Sequence, residues 1–205
     1  VLLAYLCAGY IGKAASSLGA IIMWATEQQP FLMGIVVSVV VGIILTLPIS
    51  SAAICSVLGL TGLAGGAAVA GCCAQMVGFA VISFRENKWD GLLAQGIGTS
   101  MLQVPNIVKN PKIWIPPTLA SAILGPFATV VFKMSNNPSG GGMGTSGLVG
   151  QIMTWQTMAP TTNHVVLIIE IIMLHFVLPA VLTLIISEFM RKKGWIKFGD
   201  MKLDV

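Results

Sequence analysis

Two ionisable side chains, Glu170 and His175, interrupt an otherwise apolar run from Val165 to Ser187. An ionised group at the centre of a membrane helix costs about 2.5–3.5 kcal/mol on insertion scales, so such residues face protein, a cavity or the water interface. Five positions apart at about 100° per residue, they fall roughly 140° from one another and do not share a helical face. They read either as binding residues or as an acid near the interface and a packed histidine. A larger group of uncharged polar residues lies in apolar stretches: Ser50, Ser51, Gln75, Gln95, Thr99, Ser100, Gln103, Asn106, Gln151 and Gln156. Amides and hydroxyls are the groups that read a polyhydroxylated solute through paired hydrogen bonds. Any one of them could instead tie two helices together, which is worth about 0.6 kcal/mol in measured cases. As a set they are expected to line a polar cavity.

The glycine-rich run 140–147 contains Thr145 and Ser146 and precedes a helix expected from Leu148. Backbone donors ahead of a helix N-terminus can cradle an anion. No strand is expected before it and no lysine follows at phosphate-loop spacing, so a flexible connection or gate is the expected role. Cys7, Cys55, Cys72 and Cys73 lack zinc-site spacing and have no histidine nearby in sequence, which makes them buried free thiols. No nucleophile and base, paired carboxylates, metal cluster or cofactor motif is legible, so no catalytic residue, metal or cofactor is expected. Trp155 is the aromatic best placed to stack on a solute.

The elements that must hold these residues are membrane helices. Of 205 residues 56% are hydrophobic and 9% charged, which is too little polar surface to enclose a water-soluble core. The net charge of +4 is too small and too localised for nucleic acid. A spanning helix needs about 20 apolar residues. Four such runs are present: 31–47, ended by Pro48; 63–84, rich in Gly and Ala; 113–132, entered through Pro116 and Pro117; and 165–187. Pro48 frees backbone carbonyls that must face protein or water, so Ile49, Ser50 and Ser51 are expected to line something. The stretch 91–110 is too polar to face lipid throughout and suits a re-entrant or interfacial segment. Residues 85–90 are expected as a surface loop and 136–147 as a flexible one, followed by a short helix dipping into the membrane.

The fold class is therefore an all-α integral membrane protein, with about four full spans plus broken-helix segments. It forms a single membrane domain over 1–205: an amphipathic lead-in over 1–30, a membrane core over 31–190, and a basic tail over 191–205. Short cytoplasmic loops retain Lys and Arg. With four alternating spans, Arg85, Lys88, Lys109, Lys112 and the tail fall on one side and only Lys133 on the other, so both ends are expected in the cytoplasm. Trp89, Trp114 and Trp195 suit interfacial anchors, and the tail could also touch anionic lipid.

Several blocks carry a family resemblance: Gln29-Pro30-Phe31-Leu32-Met33-Gly34, Leu47-Pro48-Ile49-Ser50-Ser51-Ala52, Cys72 to Phe79, Ser83 to Asn87, and Gly98 to Asn106. Trp114 to Ser121 and Gly144 to Gln151 fit as well. Over about residues 20 to 190 the chain resembles membrane proteins of the phosphotransferase system enzyme IIC family. The resemblance implies a sugar permease subunit of a bacterial cytoplasmic membrane, with a IIB-type partner as phosphoryl donor. Family members are longer, and the chain opens without Met, so it is expected to correspond to their C-terminal part and to work as a homodimer. The solute is expected to bind among Ser50, Ser51, Gln75, Thr99, Ser100, Gln103, Asn106, Thr145, Ser146, Gln151, Glu170 and His175, where the broken segments meet, with access alternating between the two sides. A membrane sensor or scaffold that keeps a permease-like fold is the alternative from another class.

Overall fold

The computed structural model describes residues 2–203, with side chains described for residue 13 and from residue 15 onward. The side chain of Cys7 lies outside the described residues; Cys55, Cys72 and Cys73 are buried free thiols. The architecture is all-α. Among the described residues three helical stretches are long and apolar enough to cross a membrane: Gly62–Ile82, Pro111–Val131 and His164–Lys192. A fourth apolar helix, Pro30–Thr46, has 17 residues. At 1.5 Å per residue it extends about 26 Å, slightly less than a bilayer core of about 30 Å.

Helix α1 (Leu2–Gln28) runs into α2 (Pro30–Thr46) across one non-helical residue, Gln29, with Pro30 taking the first helical position, where its missing N–H costs least. Helix α3 (Ser51–Leu58) follows a sharp turn, and α4 (Gly62–Ile82) is the central span. It is almost wholly buried, whereas most of His164–Lys192 is exposed on the outside of the bundle. The composition explains the difference. In lipid, helices associate through close packing rather than a hydrophobic drive, and glycine lets backbones touch. A Cβ on Gly71 of α4 would overlap the Ser38 carbonyl of α2. Ser38 Oγ donates to the Ser121 carbonyl at 2.7 Å, and Ser121 Oγ donates to the Gly71 carbonyl at 3.2 Å. Gly34 and Gly125 meet in the same way, so α2, α4 and α7 (Ile115–Pro126) close on a column of small residues.

The remaining helices are α5 (Phe84–Leu93), α6 (Val104–Lys109), α8 (Pro138–Gly141), α9 (Val149–Met158), α10 (His164–Ile172) and α11 (Leu178–Lys192). One wide π turn, Met173–Val177, joins the last two into a continuous span. Contacts fix the directions. Ser38, Gly42 and then Thr46 of α2 meet α4 in ascending order, whereas Ser121 and Thr118 of α7 meet it in descending order. Gly78 packs on Thr183 and Arg191 bonds the Ile82 carbonyl, so α11 runs parallel to α4.

Two ion pairs join the ends of these helices. Arg191 binds Glu86 at 2.9 Å and Arg85 binds Glu188 at 3.0 Å, while Asn110 reaches Asp200 at 2.7 Å. Arg85, Lys109, Lys112 and the C-terminal segment therefore share one face, and Lys133, at the far end of the span that begins at Pro111, lies toward the other.

Two local expectations are corrected. Residues 84–93 are helical, broken only at Lys88 (φ 51°), rather than a loop. The glycine-rich run is packed rather than a free connection: Gly140, Gly141, Gly142, Gly144 and Thr145 are buried, and the amide of fully buried Asn136 bonds to the Gly150 carbonyl and to Thr154. The C-terminal segment folds back as well: Ile196 and Met201 are buried in one cluster with Phe79, Ile82, Ile107 and Ile113, and Leu203 is also buried.

Candidate functional site

Three chain reversals occur inside the bundle, each built by local sequence chemistry. In the first, α2 stops at Pro48, which cannot continue a helix, and Ser50 caps α3 by accepting from the Ala53 N–H at 3.2 Å. Helix α3 returns over eight residues, about 12 Å, and ends at Gly59 in the left-handed conformation that favours glycine. Residues Pro48 to Ser51 form the tip of a hairpin that enters from the Lys133 side.

The second reversal enters from the opposite, cation-rich side. After α5 the chain makes a π turn, Ala94–Gly98, then Thr99 caps a short 3-10 turn, Ser100–Gln103, by accepting from the Met101 N–H at 3.1 Å. Pro105 then starts α6 back to the same face. Gln95 and Gln103 tie the two legs together at 2.8 Å, and Gln95 also holds Ser83 at 2.8 Å.

The third comes again from the Lys133 side. Asn137 caps α8, the chain turns through Gly144 and Gly147, both at positive φ, and α9 descends. Gly142 packs on the Ser51 backbone and Gly144 on Cys72, and Thr145 Oγ1 donates to the Gly96 carbonyl at 2.5 Å. The three tips thus touch one another. Ser51 Oγ donates to the Gly142 carbonyl at 2.6 Å, and Thr46 and Ser100 share a hydrogen bond of 2.9 Å.

Between the tips lies a cavity of about 360 Å³ beside Met76, past the midpoint of α4. Ser50, Ser51, Thr99 and Ser146 line it with hydroxyls, and Leu45, Met76, Met101 and Met143 give it apolar walls. Among the described residues no charged side chain lines it. Its size falls within the range of about 300–1,000 Å³ usual for small-molecule sites.

The other expected site residues do not line this cavity. Gln75 and Ser100 are fully buried and bonded to neighbouring helices: Gln75 accepts from Trp114 Nε1 at 3.0 Å and from Thr46 at 3.2 Å, and donates to Thr118 at 3.4 Å. Gln103 and Asn106 face the C-terminal segment, whose carbonyls at Met201 and Lys202 accept from them at 3.0 and 2.8 Å. Thr145 holds the second hairpin, as above. A separate polar cluster joins Gln151 to His175 Nδ1 at 3.2 Å and to Cys73 Sγ at 3.4 Å.

His175 sits in the Met173–Val177 π turn, a distortion frequent at functional positions. His175 Nε2, Gln151 Oε1 and Glu170 Oε2 find no hydrogen-bond partner among the described residues. Neither Glu170 nor His175 lines the cavity. Trp155 packs against the His164 ring, with centroids 5.1 Å apart, and is not at the cavity either. The methionine walls and Gly142 were not expected from sequence. Methionine in an apolar run carries no signal that separates a cavity wall from core.

Comparison with known proteins gives one family. A family model described as "Phosphotransferase system, EIIC" matches residues 1–203. Neither a curated protein nor a solved structure matches the chain.

Proposed function

The chain belongs to the phosphotransferase system EIIC family, multi-pass membrane permease subunits, and from that premise we propose that it binds a sugar or sugar-like solute between the three hairpin tips and moves it by alternating access. One observation carries the reading. Chain breaks entering from both membrane faces converge on a single cavity whose walls combine hydroxyls, open backbone and methionine. Irregular backbone at membrane depth is tolerated where it lines such a cavity.

In this reading Ser50, Ser51, Thr99 and Ser146 exchange hydrogen bonds with solute hydroxyls, and Met76 and Met143 cover the apolar faces of the ring. An uncharged lining selects by hydrogen-bond geometry and size rather than by charge. A site built to pair a hydroxyl rejects an analogue lacking it, because its own polar groups are then stranded. The cation-rich face lies in the cytoplasm of a bacterial cell by the bias of Lys and Arg toward that side. There a IIB-type partner supplies the phosphoryl group, and the working unit is a homodimer. Gln75, Gln103 and Asn106 support the hairpins in this reading, and the Gln151–His175 cluster and, separately, Glu170 contact the solute only in another transport state.

The test is uptake of a labelled panel of hexoses, pentoses, disaccharides and sugar acids into proteoliposomes, with and without phosphotransferase components. Saturable uptake or binding of a sugar supports the proposal. Correctly folded protein that takes up and binds none of them refutes it and favours a sensor with a permease-like fold.

A further inference from the structure

We propose that Gln103 and Asn106 are positioning residues through which the C-terminal segment, residues 194–203, latches the hairpin that enters from the cation-rich face and so sets the placement of its tip at the cavity. The inference rests on the solute-site reading above for the meaning of that tip, but not for the latch itself.

The contacts of the segment are concentrated on the chain that forms this hairpin. Gln103 Nε2 and Asn87 Nδ2 both donate to the Met201 carbonyl, at 3.0 and 2.8 Å, and Asn106 Nδ2 donates to the Lys202 carbonyl at 2.8 Å. Asn87 Oδ1 accepts from the Leu203 N–H at 2.8 Å. Asn110 donates to the Trp195 carbonyl at 3.2 Å and to Asp200 at 2.7 Å, and Glu86 Oε1 accepts from the Gly199 N–H at 3.4 Å. Every one of these partners lies between residues 86 and 110. Ile196 and Met201 are 2% and 0% exposed, so these two side chains anchor the segment, while Trp195 and Phe198 stay exposed.

Gln103 makes this more than an anchored tail. The same Nε2 that bonds Met201 also bonds Gln95 Oε1 at 2.8 Å, and its Oε1 accepts from Asn106 at 2.9 Å. One fully buried amide therefore joins the segment, the descending leg and the ascending leg of the hairpin. Three residues before Gln103, Ser100 holds Thr46 and borders the cavity wall at Thr99 and Met101. Withdrawing the segment removes the Met201 and Lys202 acceptors and leaves buried amide donors unpaired, which favours reorganisation of the legs and displacement of the tip.

Hydrogen exchange measures this directly in the full chain in nanodiscs, without any solute, against a version ending at Lys193 and against Gln103→Ala, Asn106→Ala and Asn106→Gln. Exchange at residues 94–106 is expected to accelerate about tenfold or more in the shortened chain and in both alanine variants, with α4 unchanged, and to be restored at least in part by Asn106→Gln. Unchanged exchange at 94–106 in Gln103→Ala and Asn106→Ala overturns the latch. An equal rise throughout α4 also overturns it, because the amides would then be ordinary supports of the whole fold. Should the shortened chain fail to fold, the point variants alone decide. A hairpin that loosens in protein that binds no sugar leaves the latch standing and removes the solute reading; sugar uptake with an unmoved hairpin does the reverse.

Discussion

Gly98 offers a way to fill the cavity without disturbing the fold. It lies at the tip of the second hairpin and lines the cavity, and a Cβ built on it meets no atom within 4 Å. It is also not among the glycines at positive φ, so an L side chain fits its backbone. Gly98→Ala should therefore be nearly silent, changing stability by less than about 0.5 kcal/mol, as surface substitutions away from special features do. Gly98→Phe places a phenyl ring in this space, with apolar walls to receive it. A bound solute must then overlap the ring or displace it, at the cost of about 1–3 kcal/mol typical of overpacking, which weakens binding by about 5-fold to 150-fold. The assay is titration of the best sugar from the uptake panel against wild type and both variants in detergent, with thermal unfolding of the solute-free protein as control. Full-strength binding by a stably folded Gly98→Phe protein would refute the placement of the solute between the tips. A large loss of stability in Gly98→Ala would refute the open space at residue 98.

Gly71→Ala makes the opposite case: its Cβ would overlap the Ser38 carbonyl, so α2 and α4 must separate, and a loss of about 1–3 kcal/mol in unfolding experiments is expected from the same chemical change that is silent at Gly98. Gln75→Leu strands Trp114 Nε1 and costs about 1–3 kcal/mol of stability while leaving the ranking of sugars unchanged; an altered ranking at wild-type stability would put Gln75 in the site. Glu86→Ala leaves Arg191, whose side chain is 11% exposed, without its carboxylate and should cost about 3–5 kcal/mol, measured by chemical denaturation in detergent. Arg85→Ala breaks a pair whose side chains are 61% and 40% exposed and should cost at most about 1 kcal/mol in the same assay.

The membrane class and the four apolar helices were legible because they depend on local composition and length. Pro48, Pro116 and Pro117 marked a break and a start for the same local reason. The glycine-rich run misled because glycine signals two opposite things in sequence. It allows free movement, and it allows backbones to touch; Gly142 against Ser51 and Gly144 against Cys72 are the second case. The burial of Met201 could not be read either, since its partners Asn87 and Gln103 stand about a hundred positions earlier and an amide in a polar stretch looks alike whether it faces solvent or a distant carbonyl. Among the polar residues, type alone did not separate Ser51 and Thr99 at the cavity from Gln75 and Ser100 in helix ties.

That separation bears on how the protein works. The residues that hold the tips to one another use short side chains: Ser51 to Gly142, Thr46 to Ser100, Thr145 to Gly96. The residues that hold the second hairpin to the C-terminal segment use long amides that satisfy several partners at once. A single hydroxyl bond is worth about 0.5–1.5 kcal/mol net, within reach of what a solute offers in exchange. Breaking a shared amide strands several buried groups together, and a solute at the tips cannot replace them. Under the proposed function, this division would put movement at the tips and rigidity at the base of the hairpin on the cation-rich face. A ligand that differs in affinity between two tip arrangements can then shift their populations, while α4, packed on α2 and α7 through Gly71, Ser38 and Ser121, stays fixed.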